Sequence, residues 1–284
     1  MSVLSRPEAV PGAPETVRPS RRLPRWGSLP GWLRRSVIVA VILAAWQAYV
    51  SISQVNPLLI RGPIDVGQAL WSDIVIRHTL PPATLATLRV LLLGMLVGTT
   101  GALVLSTLAS LSDVGQDILS TLSSMLNPLP AIAILPLATL WLGLTTQALV
   151  LVIVHATLWP VALNTTMGFR TVNRTIHMVG RNLGLKGVRM VLLVLLPAAL
   201  PHILTGLKMA WAFGWRTIIA AELVFGVAGA KGGLGWYINE SKTFLDIDKV
   251  FAGLVVIAAI GIVIELIFGL IERQTVQRWG MKTL

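Results

Sequence analysis

Apolar residues run along this chain in long blocks separated by short polar breaks. Six blocks approach or reach the ~20 residues that a helix needs to cross a bilayer. They cover about residues 36–53, 84–109, 126–144, 147–168, 203–226 and 250–271. The first is the shortest and the third the most irregular, because Pro128, Pro130 and Pro136 cut it into pieces; Pro160 interrupts the fourth. Such breaks survive in a membrane only where protein or a water-filled cavity satisfies the freed backbone groups. They therefore favour a path through the protein beside blocks three to five. Gly94, Gly98 and Gly101 give the second block small residues for close helix packing. The pattern predicts an all-α polytopic membrane protein with about six transmembrane helices.

The polar breaks are not alike. In residues 54–83 a weakly amphipathic piece around Val66–Ile76 predicts a short helix on the outer face. Residues 169–202 are basic and carry no acid. There Val172, Ile176, Val179 and Leu183 recur at helical spacing, with Asn173, Arg174, Arg181 and Asn182 on other faces. Gly184 follows the last periodic residue, where a left-handed stop is cheap for glycine. An apolar run, Val188–Leu196, then leads to Pro197 and Pro201, which restrict the backbone before the fifth block. A helix lying passively on anionic lipid would share the amphipathicity. It would have no use for a glycine at a fixed distance from Val194-x-Leu196-Pro197. The segment reads as a rigid element that docks on a partner and connects stiffly to the spans.

Composition agrees and adds orientation. Of 284 residues, 55% are apolar and 12% charged, against about 25% charged in a soluble domain. The net charge of +11 is a topology signal in such a chain rather than a nucleic-acid signal. With the N-terminus inside, the inner segments hold 15 Lys and Arg and the outer segments 5, which places both termini in the cytoplasm. Residues 1–35 read as a flexible basic cytoplasmic tail, 36–272 as the transmembrane domain with its cytoplasmic loop 169–202, and 273–284 as a second tail. A cleaved signal peptide is disfavoured because the first apolar core begins only at Ser36 and runs into Trp46, Gln47 and Tyr49. The absence of cysteine removes disulfides and thiolate chemistry, and the four histidines lack metal-ligand spacing. No catalytic cluster and no Gly-x4-Gly-Lys-Ser/Thr phosphate loop occurs.

Charges inside spans are costly and usually purposeful. Arg216, well inside the fifth block, either lines a pathway and favours an anion or pairs structurally. Glu222, six residues on, points to a different face and reads as structural or gating. Arg89 and Lys208 lie where they can snorkel, and Glu265 reads as a helix–helix partner.

These residues carry a resemblance. Gly184, nine residues, Val194, one residue, then Leu196-Pro197 is the spacing of the cytoplasmic-loop signature of binding-protein-dependent ABC importer permeases. The stretch Pro197-Ala-Ala-Leu-Pro-His-Ile-Leu-Thr-Gly-Leu-Lys208 is similar to the nitrate/sulfonate/taurine group. So are Asn127-Pro-Leu-Pro130, Trp159-Pro with Leu163-Asn164-Thr165, Ala221-Glu222, Gly233-Leu-Gly235 and Leu270-Ile-Glu272 with Trp279. The resemblance covers about residues 36–280. It implies a type I importer permease of a bacterial inner membrane, a transport subunit rather than an enzyme, with no cofactor of its own. The implied assembly is a second copy of the chain, two ATPase subunits that bind the ATP, and a solute-binding protein that delivers a small anionic solute such as an alkanesulfonate, taurine or nitrate. Other small solutes, including heterocyclic vitamin precursors, remain open. The implied coupling residues are Met178, Val179, Gly180, Arg181, Leu183, Gly184, Lys186, Val194 and Pro197. Asn164, Arg216 and Glu222 are the candidates for the pathway. Where the family often has Glu-Ala-Ala, this chain has Met178-Val179-Gly180, so docking would rest on shape and apolar contact. A secondary transporter or channel driven by an ion gradient is the alternative; no inverted repeat supports it, and it has no reason to keep a motor-docking loop.

Overall fold

The computed structural model describes residues 30–53, 55–225 and 232–277, and among these every regular element is helical. The basic tail up to residue 29, the Trp279 motif and the end of the C-terminal tail lie outside the described residues. The chain divides into two compact units, one up to Tyr49 and one from Val50 onward. The first holds most of α1 (Gly31–Ile52), whose apolar residues lie on every face of the helix, as suits a span surrounded by lipid.

In the second unit, α2 (Pro63–Trp71) runs on through a π turn (Ser72–Ile76), so the amphipathic piece predicted at Val66–Ile76 is helical. Next come α3 (Leu80–Leu111), α4 (Asp113–Leu126), a 3-10 turn (Ala131–Ile134), α5 (Leu135–Leu142) and α6 (Thr146–Thr171). The basic segment 169–202 contains α7 (Arg174–Asn182). It is followed by α8 (Gly187–Met190), a π turn (Val191–Leu195) and the single turn α9 (Leu196–Ala198), which form one helical stretch. Then follow α10 (Leu200–Phe225), α11 (Leu234–Thr243) and α12 (Ile247–Glu272).

Lipid is as apolar as leucine, so helices associate in it by close fit and hydrogen bonding rather than by a hydrophobic drive. α3 and α6 show both. They run parallel: Gly94 faces Ile153, Gly98 faces Thr157, and Ser106 Oγ donates to the Ala162 carbonyl at 3.1 Å. A Cβ on Gly94 would sit 2.5 Å from Ile153 Cγ2, and one on Gly98 would overlap the Thr157 hydroxyl. Gly101 differs, since a Cβ there meets only Leu158 at an ordinary 3.5 Å. α10 packs antiparallel to α6, with Gly206 against Pro160 and Val161 and Gly214 against Leu91 and Thr157. Lys208 and Glu265 form an ion pair at 2.5 Å between α10 and α12, which gives Lys208 a partner where snorkelling was expected.

Two spans are bent. The third was expected at about 126–144 after a loop at 110–125. Instead, residues 113–126 are helical, capped where Ser112 Oγ accepts from the Gly115 amide at 3.0 Å. α4 meets Ala131–Leu142 at 87° across a break at 127–130. The acids and hydroxyls of α4 masked an apolar stripe, Val114, Ile118, Leu122 and Met125, that already has helical spacing. Gly187–Ala198 likewise meets α10 at 75°. Pro201 sits in the first turn of α10, where its missing N–H costs nothing, and Pro197 lies near the end of the Gly187–Ala198 stretch, directly after its π turn. Among the described residues four helices are long and apolar enough to span a membrane, and up to six spans result if each bent pair counts as one. This accords with the type I permease fold.

Candidate transport pathway and docking helix

The break in the third span opens onto a cavity of about 550 Å³. Asn127–Ile132 form one wall; α6 from His155 to Asn164 and α10 from Met209 to Ala220 form the others. The break in the third span thus faces Pro160, through which α6 runs unbroken where an interruption was expected. Pro160 has no N–H to offer the Ala156 carbonyl one turn earlier, and Ala156 stands in the cavity wall. Arg216 lines the cavity and no carboxylate does, among the described residues. The remaining wall is largely apolar, with Leu163, Met209 and Phe213 prominent. Such a chamber is electrostatically suited to a small anion. Asn164 also lines it, its side-chain amide donating to the Pro160 carbonyl at 2.8 Å.

Glu222 does not join them. It is 3% exposed and sits on another face of α10, where its carboxylate accepts from Thr87 Oγ1 at 2.9–3.0 Å and from the Gly235 amide at 2.9 Å. Thr87 Oγ1 in turn accepts from the Leu234 amide at 2.8 Å. The first amides of a helix have no intrahelical acceptor, and here two spans supply one each to the start of α11. This explains the Gly233-Leu-Gly235 motif. A Cβ on Gly233 would overlap the Glu222 carboxylate, and one on Gly235 would lie 2.6 Å from Glu222 Cβ and 2.7 Å from the Ile219 carbonyl. Sequence reasoning noted both motifs but missed Thr87, for which a threonine in a span gives no signal. It also missed Asp73, buried to 1% exposure. Asp73 accepts from the Tyr237 hydroxyl at 2.5 Å, with Arg77 at 3.8 Å from its other oxygen. Burial first, then Asp73, pushes the Tyr237 phenol far above its ordinary range. α11 is thus pinned at its start by Glu222 and Thr87 and one turn later by Asp73.

α7 carries most of the residues that the sequence offers as docking candidates. Asn173 Oδ1 accepts from the Thr175 amide at 2.8 Å at its start. At its end the Gly184 amide donates to Arg181 and the Leu185 amide to Gly180, at 2.9 and 3.0 Å. These two bonds close a Schellman motif around Gly184, whose φ of +75° is the left-handed stop expected from sequence. Met178, Val179, Arg181, Leu183 and Lys186 are exposed, whereas Gly180 is buried against Met190 and Val194 of the following helix. The glycine in the third place of Met178-Val179-Gly180 therefore seats α7 on its own connector. Val194 and Pro197 belong to that connector, not to the exposed face.

A broken span facing two continuous ones across a largely apolar chamber that holds one guanidinium, with a short capped helix presented outside them, defines a membrane transport subunit. Residues 109–277 match the family of binding-protein-dependent transport system inner membrane components, and the chain belongs to that family. It is 29% identical over 244 residues to the putative aliphatic sulfonates transport permease protein SsuC of Bacillus subtilis, covering 86% of this chain and 87% of that one. It is 30% identical over 241 residues to the taurine transport system permease protein TauC of Escherichia coli, covering 83% and 86%. The nitrate import permease protein NrtB of Synechocystis is 26% identical over 260 residues, covering 86% and 89%. The chain is accordingly the permease subunit of an ABC importer, a multi-pass protein of a bacterial inner membrane. Subunits of this kind are not themselves enzymes and work with an ATPase and a binding protein.

Proposed function

We propose that this permease passes a small anion, of the sulfonate, taurine or nitrate type, through the cavity beside Arg216. The observation that carries the reading is a guanidinium in a chamber without carboxylates, at the point where the break in the third span meets α6 and α10. A cation there would face repulsion inside a low-dielectric wall, while an anion gains a partner.

In the working assembly two copies of this chain stand beside two ATPase subunits, which bind the ATP, and a solute-binding protein delivers cargo on the outer face. Both termini and α7 lie in the cytoplasm, in keeping with the 15-to-5 distribution of Lys and Arg. α7 rests on the ATPase. Closure of the two motors on ATP draws the α7 helices together, and the helical stretch Gly187–Ala198 carries that motion to α10, whose residues line the cavity. The chamber then opens outward, accepts the solute, and returns inward when hydrolysis separates the motors. The test is Arg216→Met in proteoliposomes. Transport of an anionic substrate should fall at least ~10-fold while subunit assembly and basal ATP turnover stay at the wild-type level. Unchanged transport would take Arg216 out of the pathway.

A further inference from the structure

The chemistry of the surface on which α7 docks can be taken one step further, resting on the reading of α7 as the docking helix. With 100° between successive residues, Ile176, Val179 and Leu183 fall within about 60° of one another and form an apolar ridge. Arg174 and Arg181 fall within about 20° of each other on the opposite side. Gly180 points between these two flanks, toward Met190, and anchors the helix to its connector. Both flanks are therefore presented outward. Ile176, Val179 and Leu183 are 43%, 53% and 73% exposed, and Arg174, Arg181 and Lys186 are exposed with no ion pair among the described residues. No carboxylate occurs anywhere in residues 169–202.

We infer that the ATPase partner of this chain receives α7 in a groove with one apolar wall, facing Ile176, Val179 and Leu183, and one wall of carboxylates, facing Arg174 and Arg181. A partner built to receive a glutamate would offer a cation where this helix brings only cations and Met178, and would repel it. The partner is thus matched in charge to this loop and is a poor fit to permeases whose loop is acidic.

The experiment uses the permease with its ATPase subunit in nanodiscs, with binding read at about 0.05 and 0.5 M salt. The rise in salt shortens the screening length from about 14 to about 4 Å and should weaken wild-type binding about 10-fold. Arg174→Glu with Arg181→Glu should weaken it about 100-fold at low salt, and Arg174→Gln with Arg181→Gln should leave it nearly independent of salt. Met178→Glu, which restores an acid to the loop, should weaken it too. Each variant is first checked for normal insertion and monodispersity.

Val179→Asn with Leu183→Asn separates two failures. If that pair leaves binding intact, α7 is not the docking helix and the proposed coupling falls with the inference. If it abolishes binding while the charge reversals are silent, only the acidic wall is overturned. The reversals are run in zwitterionic and in anionic lipid; an effect confined to anionic lipid would assign the arginines to the membrane surface and overturn the inference.

Discussion

Replacing Glu222 with alanine would remove the acceptor that two buried donors share, the Thr87 hydroxyl and the Gly235 amide. Nothing else within reach accepts from the amide, since the first residues of α11 lack intrahelical partners. Each stranded donor costs about 1–3 kcal/mol, and release of a buried carboxylate returns part of that, so the net loss is about 3 kcal/mol. For a domain of this size that corresponds to a fall of ~6–12 °C in the unfolding temperature. Glutamine keeps one carbonyl for Gly235 and loses only the charge assistance, so its cost should be about 1 kcal/mol. The measurement is thermal unfolding of the detergent-solubilised permease, read by monodispersity after heating, with Thr87→Val as a third variant. Thr87→Val strands the Leu234 amide and should resemble the alanine variant. An alanine variant within ~2 °C of wild type, or a glutamine variant as damaged as alanine, would refute the capping role.

Gly184→Asp should insert normally but lose stimulation of ATP turnover by the loaded binding protein; the left-handed backbone costs about 1 kcal/mol for a residue with a Cβ. No atom lies within 4 Å of the added Cβ, so clash plays no part, and Gly184→Asn should be better tolerated because asparagine accepts this conformation. Gly98→Ala should destabilise the permease by about 1–3 kcal/mol through contact with Thr157 and the Val154 carbonyl. Gly101→Ala should stay within about 0.5 kcal/mol, and thermal unfolding compares the two. Reporter fusions after Leu284 and at Gly180 should be cytoplasmic and one at Ala230, which lies outside the described residues, should be external. A periplasmic signal at Gly180 would exclude docking on an ATPase.

Hydropathy was enough to find the helices around α3, α6, α10 and α12, because a long apolar run in lipid has few alternatives to a helix. The stop at Gly184 was readable because it is local: a periodic segment followed by glycine needs no tertiary partner. α4 was missed because Asp113, Gln116 and Asp117 lower its mean hydropathy, although its apolar stripe was present. The cavity was readable in outline, since prolines in spans demand somewhere for the freed carbonyls to go. A structural place for Glu222 was readable but its capping role was not, because that depends on Thr87, 135 positions away, and on a helix start 12 positions ahead. Asn164 and Arg216 line one cavity only through the antiparallel pairing of α6 and α10, which spacing alone does not specify.

The bent third span also bears on how the protein enters the membrane. Neither piece is long enough to cross alone: α4 has 14 residues and α5 has 8. α4 brings Asp113 and Asp117 with it in its first five residues, and aspartate opposes insertion, by about 2.5–3.5 kcal/mol at the centre of a helix and by less toward its ends. A segment of this kind gains little by leaving the translocon as soon as it is made. Its shelter is α6, against which Leu135 and Ala138 pack alongside Leu149 and Val152, and α6 is complete only at Thr171. The pair is therefore expected to settle in lipid only with the helix synthesised after it, so the order of synthesis sets when the chamber wall can form.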